Sequence, residues 1–144
     1  MAYPMNNENK IESAKINIVN IERQISDAAK SWSDALNELL SEVHGTLIGH
    51  KLSERYSGAF HPGYCDRYDS VFALSDISII EKIHATNEVG MQLYQLSDKS
   101  QVRFKLYHRA TPIPLSDVLP IFENMGFRVI NEYPHLIEPS DMPN

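Results

Sequence analysis

The chain has 144 residues, enough for one domain or for two small units that share a core. Its 42% apolar content permits substantial burial, and its net charge of −6, from 13 basic and 19 acidic residues, argues against a general nucleic-acid binder. The single cysteine, Cys65, excludes an internal disulfide and fits a reducing, cytoplasmic setting, while no apolar run reaches the ~18 residues of a membrane span.

The opening "MAYPMNNENK" lacks the charged-then-apolar pattern of a signal peptide and reads as a polar, frayed end. A helical rhythm comes next. Ile11, Ala14, Ile18, Ile21, Ile25, Ala28 and Trp32 alternate spacings of three and four, which places them on one stripe of a helix. Leu36, Leu39 and Val43 prolong the stripe, and Ser31 or Ser33 would suit the cap of a new helix. The segment therefore reads as one long helix or two, ending near Gly45. The stripe is either a coiled-coil partner surface or, the simpler expectation, a core face packed within the chain.

Residues 46–60 continue as helix through about Tyr56, and His61 to Asp69 reads as a loop around the Pro62–Gly63 turn signal. A short helix is predicted from about Ser75, capped by Ser75 or Asp76, with Ile77, Ile80 and Ile83 or His84 on its buried side. Two strand-like runs, "VGMQLYQL" and "QVRFKLYHR", flank the turn signal "SDKS". In the second, Val102, Phe104 and Leu106 face one way and Arg103, Lys105 and Tyr107 the other, so one sheet face is covered and one is wetter. A helix around Val118 to Met125 comes after them, with Val118, Phe122 and Met125 placed to cover the sheet. Gly126 suits the left-handed position that ends it, and "FRVINEY" reads as a further strand joined by a parallel crossover. Helices followed by β-β-α-β make an α+β fold.

Few residues suggest chemistry. The glycines are scattered, so no loop is suited to cradle a phosphate. His44, His50 and His61 lack a metal-ligand spacing, and Cys65 has no second cysteine. A Cys65 nucleophile with His61 as base, or Asp66 with Asp69 as an acid–base pair, finds no further support. The basic and aromatic alternation of "VRFKLYHR" evokes an RNA-binding sheet but lacks its glycine-containing pattern, so a solvated face or one covered by another domain is expected. The loop "RATPIPLSDVL" is the best candidate ligand site. Thr111, Ser116 and Asp117 would either meet a small carboxylate at a helix N-terminus or, for Ser116 and Asp117, cap the helix. With Asp117 as cap, Pro120 is the third helical residue, where its missing N–H costs little.

Several phrases, "KSWSDAL", "ERYSGAF", "DISIIEKI" and "FKLYHRATPIPLSDVLPIFENMGFRVINEYP", combine into a resemblance. In this order and spacing they resemble an interior region of the large bacterial NAD-specific glutamate dehydrogenases, from about Ser31 to about Ile137. The ordered set includes Trp32, Arg55, Tyr56, Phe60, Asp76, Lys105, Tyr107, Pro120, Glu123, Gly126 and Glu132. The resemblance implies a long multidomain parent that oxidises L-glutamate to 2-oxoglutarate and ammonium with NAD. It implies an ACT-like, ferredoxin-like unit preceded by helices and lying upstream of the catalytic domain. The expected divisions are a helical segment over 1–86, an ACT-like segment over 87–138, which lacks a helix and a strand unless another chain or the segment around Val89 to Leu96 supplies them, and a tail over 139–144. No catalytic, cofactor-binding or metal-binding residue carries over, and NAD belongs to the parent. Trp32, Tyr56, Phe60, Pro120 and Gly126 are expected to be structural.

Two departures stand out: the loop after the hairpin has prolines and no glycine, and His135 follows Pro134 where family members carry tyrosine. The expected function is a non-catalytic regulatory or assembly region whose partners are other domains or subunits of the parent. The alternatives are an amino-acid-sensing ACT-like module with an amino-acid effector, and a helical domain that forms homo-oligomers. Neither nucleic acid nor membrane is an expected partner.

Overall fold

The structure, a computed structural model, describes the backbone of residues 7–95 and 102–141, with side chains from Ile18 onward except Ala29. The first six residues, the "SDKS" turn and the last three residues lie outside the described residues. The elements are α1 (Asn7–Tyr56), α2 (Pro62–Cys65), α3 (Ser70–Thr86), β1 (Gly90–Gln95), β2 (Val102–Tyr107) and α4 (Leu115–Asn124). Helices followed by a two-stranded antiparallel sheet and a helix make the α+β fold that the pattern predicts.

The break in α1 falls at Gly45 and not at Ser31 or Ser33. Gly45 has φ 78° and ψ 163°, a region open essentially to glycine alone. The second limb then folds back on the first. A Cβ on Gly49 would lie 2.6 Å from the Ser41 Cα, whereas eight residues of straight helix span ~12 Å. Between and beneath these limbs lies the core of Leu36, Leu40, Leu52, Tyr56, Ala59, Phe60, Tyr64, Tyr68, Ala73 and Ile77, with Trp32 packed against it.

Helix α3 begins earlier than predicted. Asp69 is its N-cap, and its carboxylate accepts hydrogen bonds from the Val71 and Phe72 N–H groups at 3.2 and 3.3 Å. Asp76 is therefore mid-helix and fully buried, not a cap. The helix ends at Asn87, which adopts the left-handed conformation.

The hairpin pairs Gly90 with Tyr107, Gln92 with Lys105 and Tyr94 with Arg103. Its basic and aromatic face, Arg103, Lys105 and Tyr107 with Gln92 and Tyr94, is the half-buried one; Gln92, Lys105 and Tyr107 bond α3 directly. Met91 and Leu93, at 66% and 60% exposure, look outward. Of the outward side, Phe104 meets Phe122 of α4 edge-on at 4.8 Å, while Met125, expected to cover the sheet, is exposed.

Helix α4 ends in a Schellman turn. Phe127 N–H donates to Phe122 O and Gly126 N–H to Glu123 O, with Gly126 at φ 81°. The next segment does not form the predicted strand. "FRVINEY" has no strand partner among the described residues, and the contacts of its end and of the residues after it lie with the helical part. Arg67 stacks over Tyr133 at 3.5 Å, His135 meets Tyr64 and Tyr68 edge-on, and Ile137 bridges Phe60. The segment thus crosses back to the helices instead of lying along the sheet. Its end is docked too, since Ser140 N–H donates to Arg55 O at 2.8 Å.

Candidate functional site

Two polar clusters tie the helices to the hairpin and to the closing segment. In the larger, Asp76 is 1% exposed, and both its oxygens contact Lys105 Nζ, at 2.8 and 2.7 Å. Tyr107 Oη donates to Oδ1 at 2.7 Å and Tyr64 Oη to Oδ2 at 2.5 Å. A carboxylate taken out of water needs this density of donors, because an unpaired buried charge costs several kcal/mol. Burial first, then Asp76, pushes both the Tyr64 and the Tyr107 hydroxyl far above the ordinary tyrosine range, so both remain donors. The Tyr107 hydroxyl keeps its proton and donates it in the hydrogen bond to the carboxylate. The same hydroxyl lies 3.0 Å from Gln92 Oε1, and Gln92 Nε2 donates to the Ser75 hydroxyl at 2.9 Å.

The Lys105 ammonium, its side chain 13% exposed, sits in a box of rings. Nζ lies 4.2 Å from the Tyr68 centroid and within 6.0 Å of Tyr64, Phe72 and Tyr94. Ring faces carry negative potential, so they substitute for part of the lost hydration. Tyr56, Phe60, Tyr64, Tyr68 and Phe72 form a ladder of ring contacts with sequence spacings of four, from 4.8 to 6.1 Å. Against this ladder rests His135, whose Nε2 is buried with no hydrogen-bond partner among the described residues; burial, then Arg67 and Lys105, lowers its pKa below the usual 6.5.

The smaller cluster centres on Arg55. Its guanidinium contacts Glu81 Oε2 at 2.6 Å and Asp141 Oδ1 at 2.7 Å, while Tyr56 Oη donates to Glu81 Oε1 at 2.9 Å. The two carboxylates raise the Arg55 pKa further, and Arg55 lowers that of Asp141.

Sequence reasoning alone placed the candidate site elsewhere. Thr111, Ser116 and Asp117 are exposed. Helix α4 already starts at Leu115, after Pro114 with φ −59°, so Ser116 and Asp117 are its second and third residues and neither caps it. Pro120 is then its sixth residue and leaves the exposed Ser116 carbonyl to water. His44, His50 and His61 do not meet: His50 pairs with Glu54 and His61 with Glu138. Among the described residues no group of three His, Cys, Asp or Glu side chains is placed to hold a metal. Burial, then Asp66, raises the Cys65 thiol pKa, the reverse of what a nucleophile requires. Asp69 is a helix cap, and no described helix is long and apolar enough to cross a membrane.

What these clusters define is a structural joint in an α+β segment. The glutamate dehydrogenase helical motif 2 domain matches residues 39–83, and the ACT3 domain of the same enzymes matches residues 88–144. The chain belongs to the glutamate dehydrogenase family, as a segment that carries these two domains. It is 35% identical over 126 residues to an NAD-specific glutamate dehydrogenase of Halomonas elongata, covering 86% of this chain and 8% of the relative. It is 34% identical over 117 residues to one of Pseudomonas aeruginosa, covering 80% and 7%. One of Mycobacterium tuberculosis is 21% identical over 134 residues, 92% of this chain and 8% of that protein. The chain thus spans under a tenth of these relatives. No solved structure matches it.

Among the described residues, the starts of α3 and α4 do not fit the dinucleotide that those names imply. A pyrophosphate needs free N–H groups at a glycine-lined helix start. The start of α3 is filled by the Asp69 carboxylate, and α4 follows Pro112 and Pro114 with Asp117 in its first turn.

Proposed function

We propose that this chain is a non-catalytic assembly and regulatory region of an NAD-dependent glutamate dehydrogenase. The parent enzyme would oxidise L-glutamate to 2-oxoglutarate and ammonium, with NAD bound in a part that this chain does not contain. One observation carries the reading. Asp76 lies within the helical motif 2 match, and Lys105 and Tyr107 lie within the ACT3 match, so the buried ion pair spans the boundary between the two domains. A joint so expensive to open makes one rigid spacer of two domains. The exposed apolar side of the hairpin and α4 is the face it offers to neighbouring parts of the parent.

The test is biochemical. The isolated chain is expected to show no NAD-dependent glutamate oxidation and no quenching of its Trp32 fluorescence by NAD. Turnover, or saturable NAD binding, would overturn the reading.

A further inference from the structure

Over Ile18 to Ser31 the first limb of α1 stands clear of the core. From Ile18 to Ser31 every described side chain is exposed, and burial begins only at Trp32 and Leu36. Ile18, Ile21 and Ile25 are 56%, 52% and 53% exposed. A lone helix of this length is marginal in water, and an apolar stripe along it calls for a partner.

We propose that this limb pairs with the same limb of a second copy of the chain, antiparallel, as a short two-helix coiled coil. The spacing sets Ile11, Ile18 and Ile25 at one seam position of a seven-residue repeat and Ala14, Ile21 and Ala28 at the other. Run antiparallel, the seam puts Ile18 against the partner's Ile21, Ile25 against the partner's Ala14, and Ile11 against the partner's Ala28. Every large residue at an end of the seam then meets a small one, and the two large ones meet at the centre. Beside the seam, Lys15 comes opposite the partner's Glu22, twice by symmetry, and Asn17 opposite the partner's Gln24.

Each alternative is worse in charge, and the parallel one is worse in packing as well. Sliding the antiparallel pair by one repeat brings Glu22 against the partner's Glu22, or Lys15 against the partner's Lys15. The parallel pair stacks Ala14 on the partner's Ala14 and Ala28 on the partner's Ala28, which leaves gaps, and sets Lys10 against the partner's Lys15. Charge and volume therefore select one orientation and one register. This pairing goes beyond the assignment to a glutamate dehydrogenase and stands or falls independently of it.

Sedimentation equilibrium of the full chain over a dilution series is expected to give a monomer–dimer equilibrium. Ile18→Glu with Ile25→Glu gives a monomer of undiminished helix content. Lys15→Glu alone, and Glu22→Lys alone, each weaken the dimer about tenfold, because two attractive pairs become repulsive. The double charge exchange restores it. A dimer strengthened by Lys15→Glu alone identifies the parallel pair and overturns the proposal. So does a chain that stays monomeric at every concentration, which assigns the stripe to another part of a larger polypeptide.

Discussion

At the scale of the residue, His135 gives the closing segment a pH-sensitive contact. Tyr64 and Tyr68 cover its ring, and Arg67, Lys105 and Asp76 are the charges that act on it. Its pKa in the folded chain lies below the ordinary 6.5, so the unfolded chain binds the proton more readily. The stability gained by burying the neutral ring is complete above about pH 6.5 and is lost as pH falls through the lowered value. Urea midpoints between pH 5 and 7.5 should fall with acid in the native chain, and His135→Phe should flatten that slope. An unchanged slope in the variant would place the acid sensitivity in other groups. The sequence pointed to these residues without giving their reason. Arg55, Tyr56, Asp76, Lys105 and Tyr107 all stood in the resemblance, yet nothing local said that they bond one another. Asp76 and Lys105 are 29 residues apart, and Asp76 alone looks like an ordinary cap. The spacing of four along Tyr56, Phe60, Tyr64, Tyr68 and Phe72 was the available signal, interrupted by a proline and two turns.

At the scale of the element, the helical stripe and the hairpin were legible because each follows a local period. The boundaries were less so. The N-terminal half of the stripe carries the same apolar rhythm as its second half, but rhythm does not say which turns are covered. Period-two alternation likewise separates two sheet faces without saying which is inside; here the ion pair takes the polar face inward. "FRVINEY" has strand composition, yet Tyr133 stacks under Arg67 and His135, just beyond it, meets Tyr64 and Tyr68, so the segment leaves the sheet. Gly45 bears the sharpest local demand. Gly45→Ala should destabilise the chain by ~1–3 kcal/mol, since its φ and ψ lie where a Cβ is strained. Chemical denaturation would measure this. A loss near zero would mean that the bend survives with ordinary backbone angles. Gly49→Ala should act by a different route, forcing the two limbs of α1 apart at Ser41.

At the scale of the whole molecule, the Asp76–Lys105 pair decides whether the helices and the hairpin melt together. Lys105→Met removes the charge and keeps the stem, so it leaves a buried carboxylate with tyrosine donors alone. A loss of about 3–5 kcal/mol is expected. The single tryptophan, Trp32, reports the helical core, while far-UV dichroism reports the entire chain. The two probes should coincide in the native chain and separate in the variant, with the hairpin released first. Coincident curves in Lys105→Met would show that the Arg55 cluster and the ring ladder suffice for cooperativity.

The docking of the last described segment onto Phe60 and Arg55 has a consequence for biosynthesis. His61 and Glu138, which meet where that segment closes, are 77 residues apart. At ~5–20 residues per second a ribosome needs several seconds to make that interval. Throughout this delay the newly made helices expose the rings of Tyr64 and Tyr68, which His135 later covers. Chaperone binding to the nascent chain should therefore persist until the proline-flanked closing residues emerge.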